Sequence, residues 1–231
     1  MHSAHQALEK HRSDYLHAVL NRDKASAGEV VLAMIREGSS LADVYHVLGA
    51  AQVEVGSLWE RGSITVSDEH FATGVTLDCV SMAADKLRTF RRDPAGFAYL
   101  SPVEGEFHVV GLLMLSELLR SDGWETELRL SGTLQSALKA FAVSKKVNLV
   151  CLSATMPSNV PRVVEAAQAI RRTPAFEAAK ILVGGPAFEH AEARGAINPA
   201  PNGTSPVDCL ASNFSEAVEF ARLVAHRRRP A

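Results

Sequence analysis

The sharpest constraint in this chain is a change of hydrophobic period near residue 95. From about Ala4 to Arg92, apolar side chains recur at helical spacing; from Phe97 onward, short apolar runs alternate with helical stretches. Four amphipathic helices with short connections bury their stripes as a bundle. Strands that alternate with helices build a parallel sheet covered on both faces. The expected fold is therefore α/β, with a helical bundle over about 1–93 and a doubly wound (βα)5 sheet over 97–231.

Turn chemistry marks the boundaries. Ser40 is placed to cap the third helix, and Thr65 or Ser67 the fourth, which is expected to run to Phe90. The charged run from Lys86 to Asp93, with Pro94 and Gly96, reads as the linker. Strands are expected at about 97–101, 125–130, 148–152, 180–183 and 207–210. Helices are expected at about 109–121, 133–144, 160–171, 187–194 and 215–226. The run Asn148-Leu149-Val150-Cys151-Leu152 is almost continuously apolar, as a central parallel strand should be.

Composition narrows the function. The formal net charge is -2, which gives no general attraction to nucleic acid. Cys79, Cys151 and Cys209 are too far apart in sequence for a zinc motif and lie in apolar stretches, so buried thiols are expected. No apolar run is long enough to cross a bilayer, and the N-terminus lacks a signal core. A soluble cytoplasmic protein with no membrane partner is the expectation.

Candidate site residues lie on loops after strands. Glu106-Phe107-His108 and Gly111 follow the first strand, Ser153-Ala154-Thr155 the third, and Gly184-Gly185 the fourth. Ligands in such sheets bind at the carboxyl ends of strands. A histidine two residues from a carboxylate can be a metal ligand with an orienting partner; a helix-capping loop that holds a His accounts for the same local spacing. There is no G-x-G-x-x-G after the first strand and no phosphate-binding loop. In the bundle, Trp59 ends the third helix and Glu69-His70 begin the fourth, so the three can share one end. A capping Glu beside an edge Trp and His is the plainer account of that grouping.

Together the loops resemble the Rossmann-like cobalamin-binding module of methionine synthase, the corrinoid mutases and the corrinoid carriers. That signature is an acidic residue, His and Gly, then a Ser motif, then Gly-Gly. Glu106, His108 and Gly111 match the first part, Ser153 the second, and Gly184 and Gly185 the third. Thr155 stands where the family often has Leu. The resemblance implies that His108 is the lower axial ligand of cobalt and Glu106 its proton-holding partner. It implies that Ser153 and Thr155 contact the buried base and that the two glycines make room for the nucleotide tail. Trp59 with Glu69-His70 resembles the upper-face motif of the light-sensing cobalamin repressors, where these residues line an adenosyl pocket and the bundle caps the corrin.

The resemblance thus points to a stand-alone photoreceptor binding adenosylcobalamin, close to the photocobilins, with biliverdin as an optional second chromophore. Two departures stand out. The chain starts directly with the bundle, so no DNA-binding domain and no direct DNA binding are expected, and output must pass through a protein partner or an oligomer. Glu60 follows Trp59 where the repressors have a His, which puts a two-histidine light state in doubt. The alternative is a corrinoid methyl carrier of a methyltransferase system. In either case no catalytic constellation is visible, so a binding module and not an enzyme is expected.

Overall fold

The computed structural model describes residues 2–89, 95–130, 146–197 and 205–226. The chain divides into two compact units, Met1–Arg88 and Thr89–Ala231.

The first unit contains α1 (His2–Leu20), α2 (Lys24–Arg36), α3 (Leu41–Glu60) and α4 (Val66–Leu87). Side-chain caps start the last three. Asp23 accepts from the Ser26 N–H, and Ser40 and Thr65 form reciprocal capping boxes with Asp43 and Asp68. Thr65 and not Ser67 is the cap of α4; the Ser67 hydroxyl accepts from Arg22 at 2.8 Å. The last helix stops at Leu87, short of Phe90. The apolar stripes meet in a core that includes Val31, Met34, Leu48, Val55 and Val80. Two tyrosines are buried in it, and each hydroxyl is satisfied. Tyr15 pairs with Thr76 at 2.9 Å, and Tyr45 donates to the Val80 carbonyl at 3.0 Å.

The second unit runs β1 (Gly96–Pro102), α5 (Val110–Ser121), β2 (Trp124–Leu128), β3 (Leu149–Ser153), α6 (Val160–Arg171), β4 (Lys180–Gly184), α7 (Ala191–Ile197), β5 (Cys209–Ala211) and α8 (Phe214–His226). The five strands are parallel in the order β2-β1-β3-β4-β5. Alternation along β1 sends side chains to opposite faces. Phe97 and Tyr99 join Leu152, Ile181 and the α6 residues Val163, Ala167 and Ile170. Ala98 and Leu100 join Leu149, Cys151, Leu112 and Leu115 of α5, and Ala217 and Ala221 of α8. Helices therefore cover both faces, as a doubly wound sheet requires.

Several details differ from expectation. The region over 187–194 splits into a 3-10 turn, Pro186–Glu189, and α7, because His190 adopts an extended backbone between them. Strand β5 begins at Cys209 and not at Val207, and Cys209 is only half-buried. The expected helix over 133–144, the residues Pro199, Pro201 and Gly203, and the tail Arg227, Arg228 and Arg229 lie outside the described residues.

Asp208, just before β5, ties three segments together. Its carboxylate accepts from Arg171 of α6, from Lys180 Nζ at 2.8 Å and from the Ile181 N–H at 2.8 Å. Burial opposes its ionisation, but the bonds from Lys180, Ile181 and Arg171 outweigh it and hold the carboxyl below its ordinary value of 3.8. A depressed folded-state pKa stabilises above the unfolded value, and that stability is lost as pH falls through the folded one. Asp208→Asn is therefore expected to cost about 2 kcal/mol near pH 6, with the gap to wild type shrinking below about pH 3.8. Urea unfolding of both proteins at pH 6 and pH 3 checks this; an equal gap at the two values would refute it.

Candidate functional site

The order of the strands fixes where a ligand site can form. The chain moves outward from β1 to β2 and then returns across β1 to β3, β4 and β5, so the topological switch lies between β1 and β3. The loops after these two strands flank it. Pro102 pairs with Ser153, Ser153 with Gly184, and Gly184 with Ala211, so one row crosses the carboxyl edge of four strands.

The loop after β1 turns at once. Glu106 N–H donates to Val103 O at 3.0 Å, and Gly105 has φ +80 at the third position, as a type II turn demands. This turn directs the Glu106 side chain inward, where it is buried. One carboxylate oxygen, Oε1, accepts from the His108 N–H at 3.1 Å and lies 2.5 Å from His108 Nδ1. The other, Oε2, accepts from the Thr155 N–H at 2.8 Å, the Met156 N–H at 3.2 Å and Asn159 Nδ2 at 3.1 Å. Burial alone would raise the pKa of Glu106. The bonds from His108, the Thr155 N–H and Asn159 outweigh burial and hold the carboxyl well below the usual carboxylate range. An ionised carboxylate can only accept, so His108 Nδ1 carries the hydrogen. Nε2 is then the ring nitrogen whose lone pair can ligate a metal. The ring side chain is 57% exposed, while its carboxylate partner is 1% exposed. A fixed tautomer on a buried anion is the arrangement that orients a metal-ligating histidine.

The other sequence-predicted residues divide. Thr155 is half-buried and contributes its backbone N–H to Glu106, a role its side-chain type did not suggest. Ser153 sits half-buried at the end of β3. At Gly111, in the first turn of α5, an added Cβ would meet nothing within 4 Å, so that side of the helix start is open. At Gly184 a Cβ would lie 3.3 Å from Ala211 O, and at Gly185, with φ +112, 2.3 Å from Ala154 O. Gly185 is therefore demanded by the protein's own backbone packing before any ligand tail is considered, while Gly184 is merely in tight packing.

In the helical unit, His70 Nδ1 lies 2.5 Å from Glu69 Oε2, and Thr73 donates to Glu69 Oε1 at 2.8 Å. Gln52 of α3 donates to Thr73 at 3.3 Å. Glu69 thus links α4 to α3 through Thr73 as well as holding His70. Trp59, in the last turn of α3, is 49% exposed at the same end of the bundle.

Sequence reasoning missed Asn159 and Arg162. Asn159 precedes Val160-Pro161 and reads as a helix N-cap, yet its side chain makes no cap bond and turns to Glu106 instead. Only the packing of the β3–α6 loop against the β1–α5 loop reveals this. Among the described residues, no group of three or more His, Cys, Asp and Glu gathers to hold a metal. No helix of the described residues is long and apolar enough to cross a membrane.

The site fits a corrinoid cofactor. The donor set is one carboxylate-oriented imidazole, which suits a metal that brings its remaining ligands in a macrocycle, and the helix start at Gly111 leaves open space beside it.

Comparison with known proteins agrees. Two family models, each described as a B12 binding domain, match residues 12–83 and 97–200. Dimethylamine corrinoid protein 1 of Methanosarcina mazei is 25% identical over 206 residues, covering 84% of this chain and 88% of that protein. Its namesake from Methanosarcina acetivorans is 26% identical over 212 residues, covering 84% and 89%. The Methanosarcina barkeri monomethylamine corrinoid protein shares the fold, with a TM-score of 0.72 at 19% identity over 91% of this chain and 96% of that one.

These findings overturn the light-sensing expectation. The relatives are named corrinoid proteins of dimethylamine, not photoreceptors, and they favour the methyl-carrier alternative. Cobalamin is supported; the adenosyl form and biliverdin are not. The motifs misled for a physical reason. The loop pattern of Glu106, His108, Ser153 and the glycines resembles corrinoid modules of every kind, so the light-sensing expectation rested on Trp59 and Glu69-His70, and Glu69 has a structural role in tying α4 to α3 through Thr73 and Gln52. Matched by B12 binding domain models in both its helical and its sheet unit, the chain belongs to the B12-binding domain family.

Proposed function

We propose that this chain is a corrinoid methyl-carrier protein, working with methyltransferase partners and not an enzyme by itself. The observation that carries the reading is the buried Glu106 carboxylate, accepting from five N–H groups and fixing His108 at the switch point of the sheet. The names of the dimethylamine corrinoid relatives support the carrier part. A bound corrinoid supplies a cobalt that accepts and releases a methyl group. His108 would hold that cobalt through Nε2. Glu106 keeps the ring's proton on Nδ1 and its plane fixed. Ser153, Thr155, Gly184 and Gly185 line the edge where a displaced nucleotide tail would run. Trp59, Glu69 and His70 are the cofactor-binding residues proposed in the helical unit.

The test uses ¹⁵N-labelled protein loaded with cob(II)alamin. Ligation by His108 replaces the triplet nitrogen splitting of the cofactor's own base with a doublet in the electron paramagnetic resonance spectrum. His108→Ala should abolish the doublet and weaken cobalamin binding by at least roughly tenfold. A triplet in the wild type would refute His ligation. Demethylation of protein-bound methylcobalamin by a thiol- or tetrahydrofolate-dependent partner is the expected result for a carrier. Turnover of a corrin substrate by the isolated chain would contradict it.

A further inference from the structure

Arg162 projects from the first turn of α6 across the gap between the two loops that flank the switch point. Its Nη1 donates to the Glu104 carbonyl at 2.7 Å and to Asn159 Oδ1 at 3.4 Å. The guanidinium lies directly on Gly105, where an added Cβ would come within 2.0 Å of Nη1. One nitrogen thus uses its two hydrogens to join the turn that bears Glu106 to the amide that bonds Glu106.

The second contact reinforces the Asn159 amide orientation that the Glu106 carboxylate requires. With Oδ1 toward Arg162, Nδ2 donates to Glu106 Oε2 at 3.1 Å. The flipped amide would set two donors against each other at Arg162 and two acceptors against each other at Glu106. A fixed Asn159 holds Oε2, and the same carboxylate's Oε1 holds His108 Nδ1. Orientation therefore passes from Arg162 through Asn159 and Glu106 to the imidazole, while the Glu104 bond fixes the start of the same loop.

We propose that Arg162 is a positioning residue for His108, locking the Val103–Glu106 turn and the Asn159 amide so that the imidazole is held ready for the metal. This rests on the reading of His108 as a cobalt ligand. Partners of this kind around a metal site typically change metal affinity by about 10- to 100-fold when removed.

The test compares wild type, Arg162→Ala and Arg162→Lys as ¹⁵N-labelled proteins loaded with cob(II)alamin. The doublet splitting reports His ligation, stopped-flow exchange against free cobalamin reports dissociation, and thermal unfolding of the apo proteins reports folding. Arg162→Ala is expected to show a reduced doublet fraction and about tenfold faster cobalamin dissociation, with an apo midpoint close to wild type. Lysine carries enough hydrogens to reach both acceptors, so Arg162→Lys should restore most of the doublet. A wild-type doublet and dissociation rate in Arg162→Ala would overturn the proposal. So would equal loss in both variants with a lowered apo midpoint, which would make the role one of folding. Absence of the doublet in the wild type itself would instead bring down the His108 reading on which the proposal stands.

Discussion

Replacing Glu106 with alanine is expected to lower cobalamin affinity about 10- to 100-fold and to destabilise the apo protein by about 3 kcal/mol. The first effect follows because His108 loses the acceptor that fixes its tautomer and plane. The second follows because the Thr155 and Met156 N–H groups and the buried Asn159 amide lose their shared acceptor. Glu106→Gln separates the two effects. If the glutamine oxygen faces His108, its NH2 meets three N–H donors. If its NH2 faces His108, Nδ1 must accept, the ring hydrogen moves to Nε2, and the metal-ligating nitrogen is blocked. The isosteric variant should therefore keep more stability than alanine yet bind cobalamin no better. Isothermal titration with cob(II)alamin and urea unfolding of the apo forms measure the two quantities. Wild-type affinity in Glu106→Gln would show that the anion is not what positions the ring.

Gly185→Ala is expected to be the most damaging single methyl group in the sheet unit, at about 4 kcal/mol. Two costs combine. The backbone at φ +112 and ψ 162 lies in a region open almost only to glycine. The new Cβ would also sit 2.3 Å from Ala154 O, a backbone atom held by the Ala154 N–H bond to Gly184 O at 3.2 Å and the Ala187 N–H bond to Ala154 O at 3.3 Å. No flexible side chain can yield there. Relief requires Ala154 to move, and Ala154 adjoins Thr155, whose N–H holds Glu106. The loss of stability should thus be accompanied by weaker His108 ligation. Gly111→Ala is the control: its Cβ meets no protein atom, so the apo midpoint should not fall. Thermal unfolding of the two variants decides the matter, and a Gly185→Ala protein within about 1 kcal/mol of wild type would refute the argument.

The two experiments bear on the same construction from opposite sides. Glu106 reaches from the β1 loop to the β3 loop, and Gly185 lets the β4 loop pass close beneath the β3 loop. The His108 imidazole is exposed, while the carboxylate that aims it is buried.

How far the sequence reached can be judged residue by residue. The bundle and the (βα)5 order were legible because period 3.6 and short apolar runs are local properties, and because Ser40 and Thr65 cap helices through bonds to residues three positions away. The pairing of Glu106 with His108 was legible for the same reason, since they lie two positions apart. Choosing between a light sensor and a methyl carrier was not legible, because the lower-face motif is shared and Glu69 has a structural role, tying α4 to α3 through Thr73 and Gln52. The strand order, and with it the switch point between β1 and β3, came only from the fold. So did Asn159 and Arg162, which lie about fifty residues or more from the turn they brace, and the reason Gly185 must be glycine, which is an oxygen on a neighbouring strand's loop. Local spacing determines which groups a chain carries and on which elements; only tertiary packing decides which distant donors converge on a buried charge, because a desolvated charge is tolerable only where such donors meet it.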